Sequence, residues 1–338
     1  MKFKRLIAGI ALGSLLVLAG CGGNGSNEGS TSVEPDDDAL QVGIVQLVDH
    51  VALDRARQGF EDGLEEAGFT VGKDVVIDFQ NAQADQSNLD TITKQFVNTQ
   101  KDLVCAIATQ SAVQMANASD SIPIVGTAIT DYEAAKLVES NDAPGGNVTG
   151  TSDMNPIKEQ VALMKKIIPD IKKAGVIYTS AEENSHIQAG LFKKECKAQG
   201  IEVVEMTISN VNEIQQAVTG LIDSDVQAVY TPTDNIIASS MATVTSLTTD
   251  KKIPVFGGEI AHLDGGALAT VSVDYYELGK QTGAMAAKIL KGEASPESMP
   301  VEMPKTTTTA INGAVLEELG ITLPEDLEEF VGDYSKAE

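Results

Sequence analysis

The chain has no tryptophan and only 4% aromatic residues among its 338. Sugar sites, which stack aromatic rings on the pyranose face, are disfavoured by that poverty. Arginine is equally scarce: beyond Arg5 only Arg55 and Arg57 occur, so a paired-arginine clamp on a phosphate or dicarboxylate is not available. Three cysteines occur with no Cys-x-x-Cys, which leaves a redox motif or structural zinc without support. Cys105, in the apolar run 103–107, and Cys196, on a helical segment of the other half, read as unpaired buried thiols. His50, His186 and His262 fall in separate segments without the short spacing of a metal site. Nor is there a Gly-x-Ser-x-Gly with triad partners, a Walker-type loop or a His-Glu-x-x-His. No enzyme, metal or cofactor is therefore expected. Positive charge is also short, with 24 Lys+Arg against 49 Asp+Glu and a formal net charge of −25. Such a surface repels nucleic acid and anionic lipid headgroups.

What is present begins with the N-terminus. Lys2, Lys4 and Arg5 precede an apolar stretch from Leu6 to Leu18, followed by Leu18-Ala19-Gly20-Cys21. The stretch is too short and wrongly flanked for a membrane span and reads as a secretory signal over residues 1–20. A small-residue site ending in Cys is the bacterial lipobox pattern, so Cys21 is expected to receive acyl chains such as palmitate and to hold the mature protein at the outer face of the cell membrane. Loss of the three signal cations takes the formal charge from −25 to about −28. Gly22–Asp38, almost without apolar residues, cannot bury surface, and residues 21–39 read as a flexible tether. Roughly 300 residues remain, enough for two lobes.

From Leu40 onward strand-like and helical patterns alternate. Gln41–Leu47 is an apolar run. Leu53, Ala56, Phe60, Leu64 and Ala67 follow at the three-and-four spacing of an amphipathic helix. Strands are expected at Val75–Phe79, Leu103–Ala108 and Ile122–Gly126, with helices at Leu89–Val97 and Ser111–Ala118. The pattern restarts after Pro156 with helices at 157–168, 185–199, 211–222 and 235–247 and strands at 174–179, 201–208, 228–231 and 253–256. Strand 267–273, helix 279–290, strand 306–310 and helix 314–319 are left over. Two successive βαβα arrays predict two doubly wound α/β lobes, each a parallel sheet between helices. The surplus tail implies a three-stranded hinge, with crossings near 151–155, 258–265 and 305–309. Lobe one would comprise 40–153 plus 262–306, and lobe two 154–261 plus 307–330.

In open α/β sheets ligands bind beyond the carboxyl ends of the strands. The segments there are rich in hydroxyls, amides and carboxylates: Gln46, Asp49 and His50; Thr109 and Ser111; Thr127, Ala128, Thr130 and Asp131; Ser152 and Asp153; Ser185; and Thr233, Asp234, Asn235 and Glu259. The same residue types cap helices, and the two roles are compatible because amides at a helix start attract a carboxylate. Of the tyrosines near these loops (Tyr132, Tyr178, Tyr275 and Tyr276), Tyr178 is taken as a candidate contact.

Val42-Gly43-Ile44-Val45-Gln46, His50-Val51-Ala52-Leu53-Asp54, Ala108-Thr109-Gln110-Ser111-Ala112, Gly126-Thr127-Ala128-Ile129-Thr130-Asp131, Gly150-Thr151-Ser152-Asp153, Pro232-Thr233-Asp234-Asn235 and Gly257-Gly258-Glu259 occur in that order. Together they resemble the ABC transporter substrate-binding lipoproteins related to the binding component of a tryptophan importer, over roughly Leu40 to Leu327. The resemblance implies a type I periplasmic-binding-protein fold, a monomer that hands a small solute to an ABC permease with its cytoplasmic ATPase, and an amino acid as solute, with tryptophan or phenylalanine among the candidates. For such a zwitterion, Thr109, Ser111 and Thr130 would serve the carboxylate. Asp234, with Glu259 and Asp153 behind it, would serve the ammonium. Branched-chain amino acids, nucleosides and sugars are alternative ligands, and a sensor domain for a membrane receptor is an alternative role.

Overall fold

The computed structural model of the chain describes residues 35–36 and 38–334, so the expected signal, Cys21 and most of the tether lie outside the described residues. The first lobe contains β1 (Leu40–Gln46), α1 (Val51–Glu66), β2 (Val75–Asn81), α2 (Gln86–Asn98), β3 (Leu103–Ile107), α3 (Thr109–Ala118), β4 (Ile124–Ile129) and β5 (Val148–Ser152). Its strands run in the order β2-β1-β3-β4-β5, all parallel. β1, β3 and β4 are apolar on both faces because helices cover both sides of the sheet, and the core gathers Ile44, Phe60, Leu64, Phe96 and Ile107.

The second lobe follows with α4 (Ile157–Ile167), β6 (Lys173–Thr179), α5 (Glu183–Ala198), β7 (Glu202–Ile208), α6 (Ile214–Asp223), β8 (Ala228–Thr231), α7 (Asn235–Ala238), α8 (Met241–Thr249), β9 (Val255–Gly257), α9 (Ala261–Asp264) and β10 (Ala269–Val273). The chain then returns to lobe one as α10 (Tyr275–Leu290) and comes back to lobe two as β11 (Thr307–Asn312), α11 (Gly313–Leu319) and β12 (Val331–Gly332). The strand order is β12-β11-β10-β9-β8-β6-β7, with β11 antiparallel to β10 and the other pairs parallel. Phe192 stacks on Tyr230 at 4.2 Å on one face of this sheet, and Leu221, Val229 and Val244 fill the other.

Three segments join the lobes, but one crosses elsewhere than the expected 258–265. α9 and β10 belong to the second lobe, because β10 pairs with β9 and β11. Residues 262–273 therefore leave the lobe to which the sequence reading gives them. The crossing is the single residue Asp274, whose carboxylate caps α10 by accepting from the amides of Tyr276 and Glu277. Capping carries the chain from strand to helix without a loop. α10 then lies against α1 with backbones in contact: a Cβ at Gly59 would stand 2.0 Å from the Tyr276 carbonyl, and one at Gly279 would stand 2.1 Å from that of Ala56. Two further departures affect the site. β5 completes the first sheet where no strand was expected, and the helix expected over 235–247 breaks at Ser239–Ser240 into α7 and α8.

Candidate functional site

The carboxyl ends of β1, β3, β4 and β5 face those of β6, β8 and β9 across the cleft between the lobes. The backbone is contorted there: Ala108, just after β3, and Ala128, within β4, hold φ of 82° and 55°. Non-glycine residues in the left-handed region cost on the order of 1–3 kcal/mol each and concentrate at functional sites. The lobes touch through side chains. His50 Nε2 meets Asn235 Oδ1 at 3.1 Å, Gln110 donates to the Ala181 carbonyl at 3.0 Å, and Gln188 of α5 donates to Thr130 Oγ1 at 3.0 Å while also bonding Thr233. Between these contacts lies a cavity of only about 10 Å³, barely the room of one water, lined by Leu53, Ala128, Thr130, Asp153, Asn184, Thr233, Asn235, Glu259 and Tyr275. A larger groove of about 460 Å³ runs along α10, but it is open and its Lys280 is paired with Glu66.

Four buried carboxyl groups surround the cleft, and they differ in what they already hold. Asp234 accepts from the Thr179 amide (2.6 Å), Thr179 Oγ1 (2.8 Å), Ser185 Oγ (2.8 Å) and the Ile237 amide (2.9 Å), which fills its four lone-pair positions. Glu182 accepts from Asn184 Nδ2, from both the amide and Nδ2 of Asn235, and from the Ile236 amide, at 2.7 to 3.2 Å. Asp153 accepts from Tyr275 OH (2.8 Å) and Thr130 Oγ1 (3.2 Å). Glu259 is 2% exposed, and its Oε1 has no hydrogen-bond partner. His262 Nε2 lies 3.4 Å and His50 Nδ1 3.7 Å from that oxygen, both likewise unpartnered.

Burial pushes the carboxyl groups of Asp153, Glu182 and Asp234 above the ordinary range. Burial, with the neighbouring Asp153, pushes Glu259 up to about 8. Burial lowers His50, and burial beside His50 lowers His262 to about 3, so both imidazoles stay neutral. Among the described residues, neither the cavity wall nor the adjoining groove of about 440 Å³ at the cleft mouth contains a lysine or arginine. The site is an acidic enclosure without its own cation.

The structure brings His50, Ala128, Thr130, Asp153, Thr233, Asn235 and Glu259 together at the cleft. Thr109 and Ser111, in the first turn of α3, are buried with hydroxyls that have no partner. Gln46 is buried beside them in the sheet and braces the loop by donating to the Val48 carbonyl and Asp54. Other candidates point elsewhere. Asp49 is exposed and bonds Asn81. Asp131 accepts from the Ala134 amide in its own turn. Thr127 Oγ1 accepts from Thr151 inside lobe one, and Ser152 Oγ donates to the Thr130 carbonyl. Tyr178 donates to Glu205 at 2.6 Å on the far side of β6. Ser185 and Asp234 serve each other, so the ammonium role expected of Asp234 falls on an anion that is already saturated. His186 bonds the Ser180 carbonyl and lies outside the cleft. The reading missed Glu182, Asn184 and Gln188 and left Tyr275 and His262 without a role. Gln188 lies about one helical turn beyond Asn184 and Ser185, so the periodicity of α5 places it on their face.

The sequence matches the family described as ABC transporter substrate binding protein over residues 41–332. The chain belongs to that family. A tyrosine-binding protein of Clostridioides difficile (strain R20291) is 40% identical over 94% of this chain and 93% of its own length. The ABC domain in complex with L-Trp from Streptococcus pneumonia is 40% identical with a TM-score of 0.83, covering 87% of this chain and 99% of that one. The ligand-free, open structure of a Clostridium difficile substrate-binding protein with adhesive properties has the same identity and coverage but a TM-score of 0.68. At equal identity, this ABC transporter substrate-binding protein superposes better on the L-Trp complex than on the open structure, consistent with its contacts across the cleft. Its two parallel-sheet lobes are the type I periplasmic-binding-protein fold.

Proposed function

We propose that the protein captures an aromatic L-amino acid between its lobes and delivers it unchanged to an ABC permease driven by a cytoplasmic ATPase. The observation that carries this reading is the unpartnered Glu259 oxygen, buried beside Asp153 in an enclosure that has no lysine or arginine. An ammonium group is the cation that would complete it. Charge-assisted hydrogen bonds from an ammonium to a carboxylate are roughly twice as strong as neutral ones. The hydroxyls of Thr109 and Ser111, with the first amides of α3, would take the carboxylate. The tyrosine and L-Trp named for relatives 40% identical support an aromatic side chain. The lipobox at Cys21 supports a protein tethered by acyl chains outside the cell membrane, and among the described residues no helix is long and apolar enough to cross a membrane.

Thermal-shift screening with L-tyrosine, L-tryptophan, L-phenylalanine, branched-chain amino acids, nucleosides and sugars tests the reading. A ligand at a hundred times its dissociation constant adds about 2.7 kcal/mol. Stabilisation by a nucleoside or sugar, with none by any amino acid, would refute it.

A further inference from the structure

The charge balance of the closed cleft has a consequence for closure itself. Glu259 is faced by Asp153 after β5, Tyr275 at the start of α10, His50 before α1 and His262 on α9, with Glu182 and Asp234 further off. Asp49 and Asp54 act on His50 from outside. None of these groups is a resident cation. Burial disfavours a charge on either imidazole. Asn235 Nδ2 donates to Glu182 Oε2, an oxygen that also accepts the Asn235 amide, so Asn235 Oδ1 faces His50. His50 Nε2 must then carry the hydrogen. In the neutral ring, Nδ1 is left as a lone pair 3.7 Å from Glu259 Oε1. A lone pair opposite a buried carboxylate is repulsive, and a proton on Glu259 removes the repulsion. The acidity of Glu259, weakened to about 8, fits that geometry.

We propose that the closed cleft requires one positive charge at Glu259 and accepts it as either a proton or the ligand's ammonium, so that acid closes the lobes without ligand and competes with capture. The ammonium half rests on the amino-acid reading above. The proton half does not. When the lobes are apart, water solvates Glu259 and it ionises as an ordinary carboxylate. Closure without ligand takes up a proton from solvent onto Glu259. Closure around an ammonium takes up none, and when the protonated closed form opens and captures a ligand, that proton is released to solvent.

Solution scattering of the full chain at pH 5.5 and pH 8, with and without L-tyrosine or L-tryptophan, tests this. Without ligand, the closed-to-open ratio should rise with acid by up to about tenfold per pH unit below 8. With saturating ligand the protein should be compact at both pH values, and the dissociation constant should be larger at pH 5.5. Glu259→Gln, which supplies an N–H in place of the proton, should be compact without ligand at both pH values. The same dimensions at both pH values for the ligand-free wild type would overturn the proposal whatever the amino acids do. A protein that closes with acid but stays open at pH 8 with every amino acid would overturn the ammonium half and the amino-acid reading together. Should Glu259→Gln fail to fold, the wild-type pH series still decides.

Discussion

Asp234 and Glu259 are both fully buried carboxyl groups at strand ends of the same lobe, yet they do opposite things. Asp234 caps α7 and holds β6 to α5 through four donors. Glu259 leaves one oxygen unmatched beside two neutral imidazoles. Burial alone therefore does not mark a ligand-binding acid in this cleft. On the proposed reading unused hydrogen-bonding capacity does, because a carboxylate already surrounded by donors gains little from another.

The comparison predicts separable defects. Asp234→Ala, the largest, leaves two buried amides and two hydroxyls without an acceptor and should cost about 3 kcal/mol in chemical denaturation. Glu259→Gln should fold with at least wild-type stability at pH 8 and lose about 2 kcal/mol of binding, roughly thirtyfold in Kd, by calorimetry. If the two defects were exchanged, with Asp234→Ala failing only to bind and Glu259→Gln failing to fold, the contrast would be broken.

The pH dependence sharpens the same contrast. Glu259 has its acidity weakened from an ordinary 4.5 to about 8 by folding. The closed folded state then binds the proton more tightly than the unfolded chain, so the stability of that state is fully present below pH 4.5 and falls as pH rises towards 8. His262, lowered from 6.5 to about 3, has the opposite effect, and its contribution falls as pH drops from 6.5. Ligand-free denaturation curves should show stability declining from about pH 6.5 to 8, and the decline should be smaller in Glu259→Gln. A smaller effect is expected of Gln188→Ala, which removes one bridge between the lobes. It should shift scattering profiles towards the open form and weaken binding by about 1 kcal/mol.

The layered architecture was legible because strands buried on both faces and helices with one apolar stripe have distinct periods. The hinge was only partly legible. The surplus tail pointed to a crossing near 258–265, but Asp274 makes it in one residue through a cap, and capping looks the same in sequence whether or not the chain changes lobe. β5 escaped notice because Val148-Thr149-Gly150-Thr151-Ser152 carries a single large apolar residue; its hydroxyls are satisfied inside the fold, as by the bond from Thr149 to the Met299 carbonyl. In the site, the reading put Glu259, Asp153, Thr130 and His50 at strand ends, and those ends converge on the cleft. It ranked Asp234 first because residue type and loop position do not reveal which donors a carboxylate has already taken. Glu182 and Gln188 act through partners far away in sequence.

The most direct test is a crystal structure with bound L-tyrosine. The account predicts the ligand's ammonium within about 2.7–2.9 Å of a Glu259 oxygen, with Asp234 still holding Thr179, Ser185 and Ile237. An ammonium seated against Asp234, or a ligand whose amine meets no carboxylate, would contradict it.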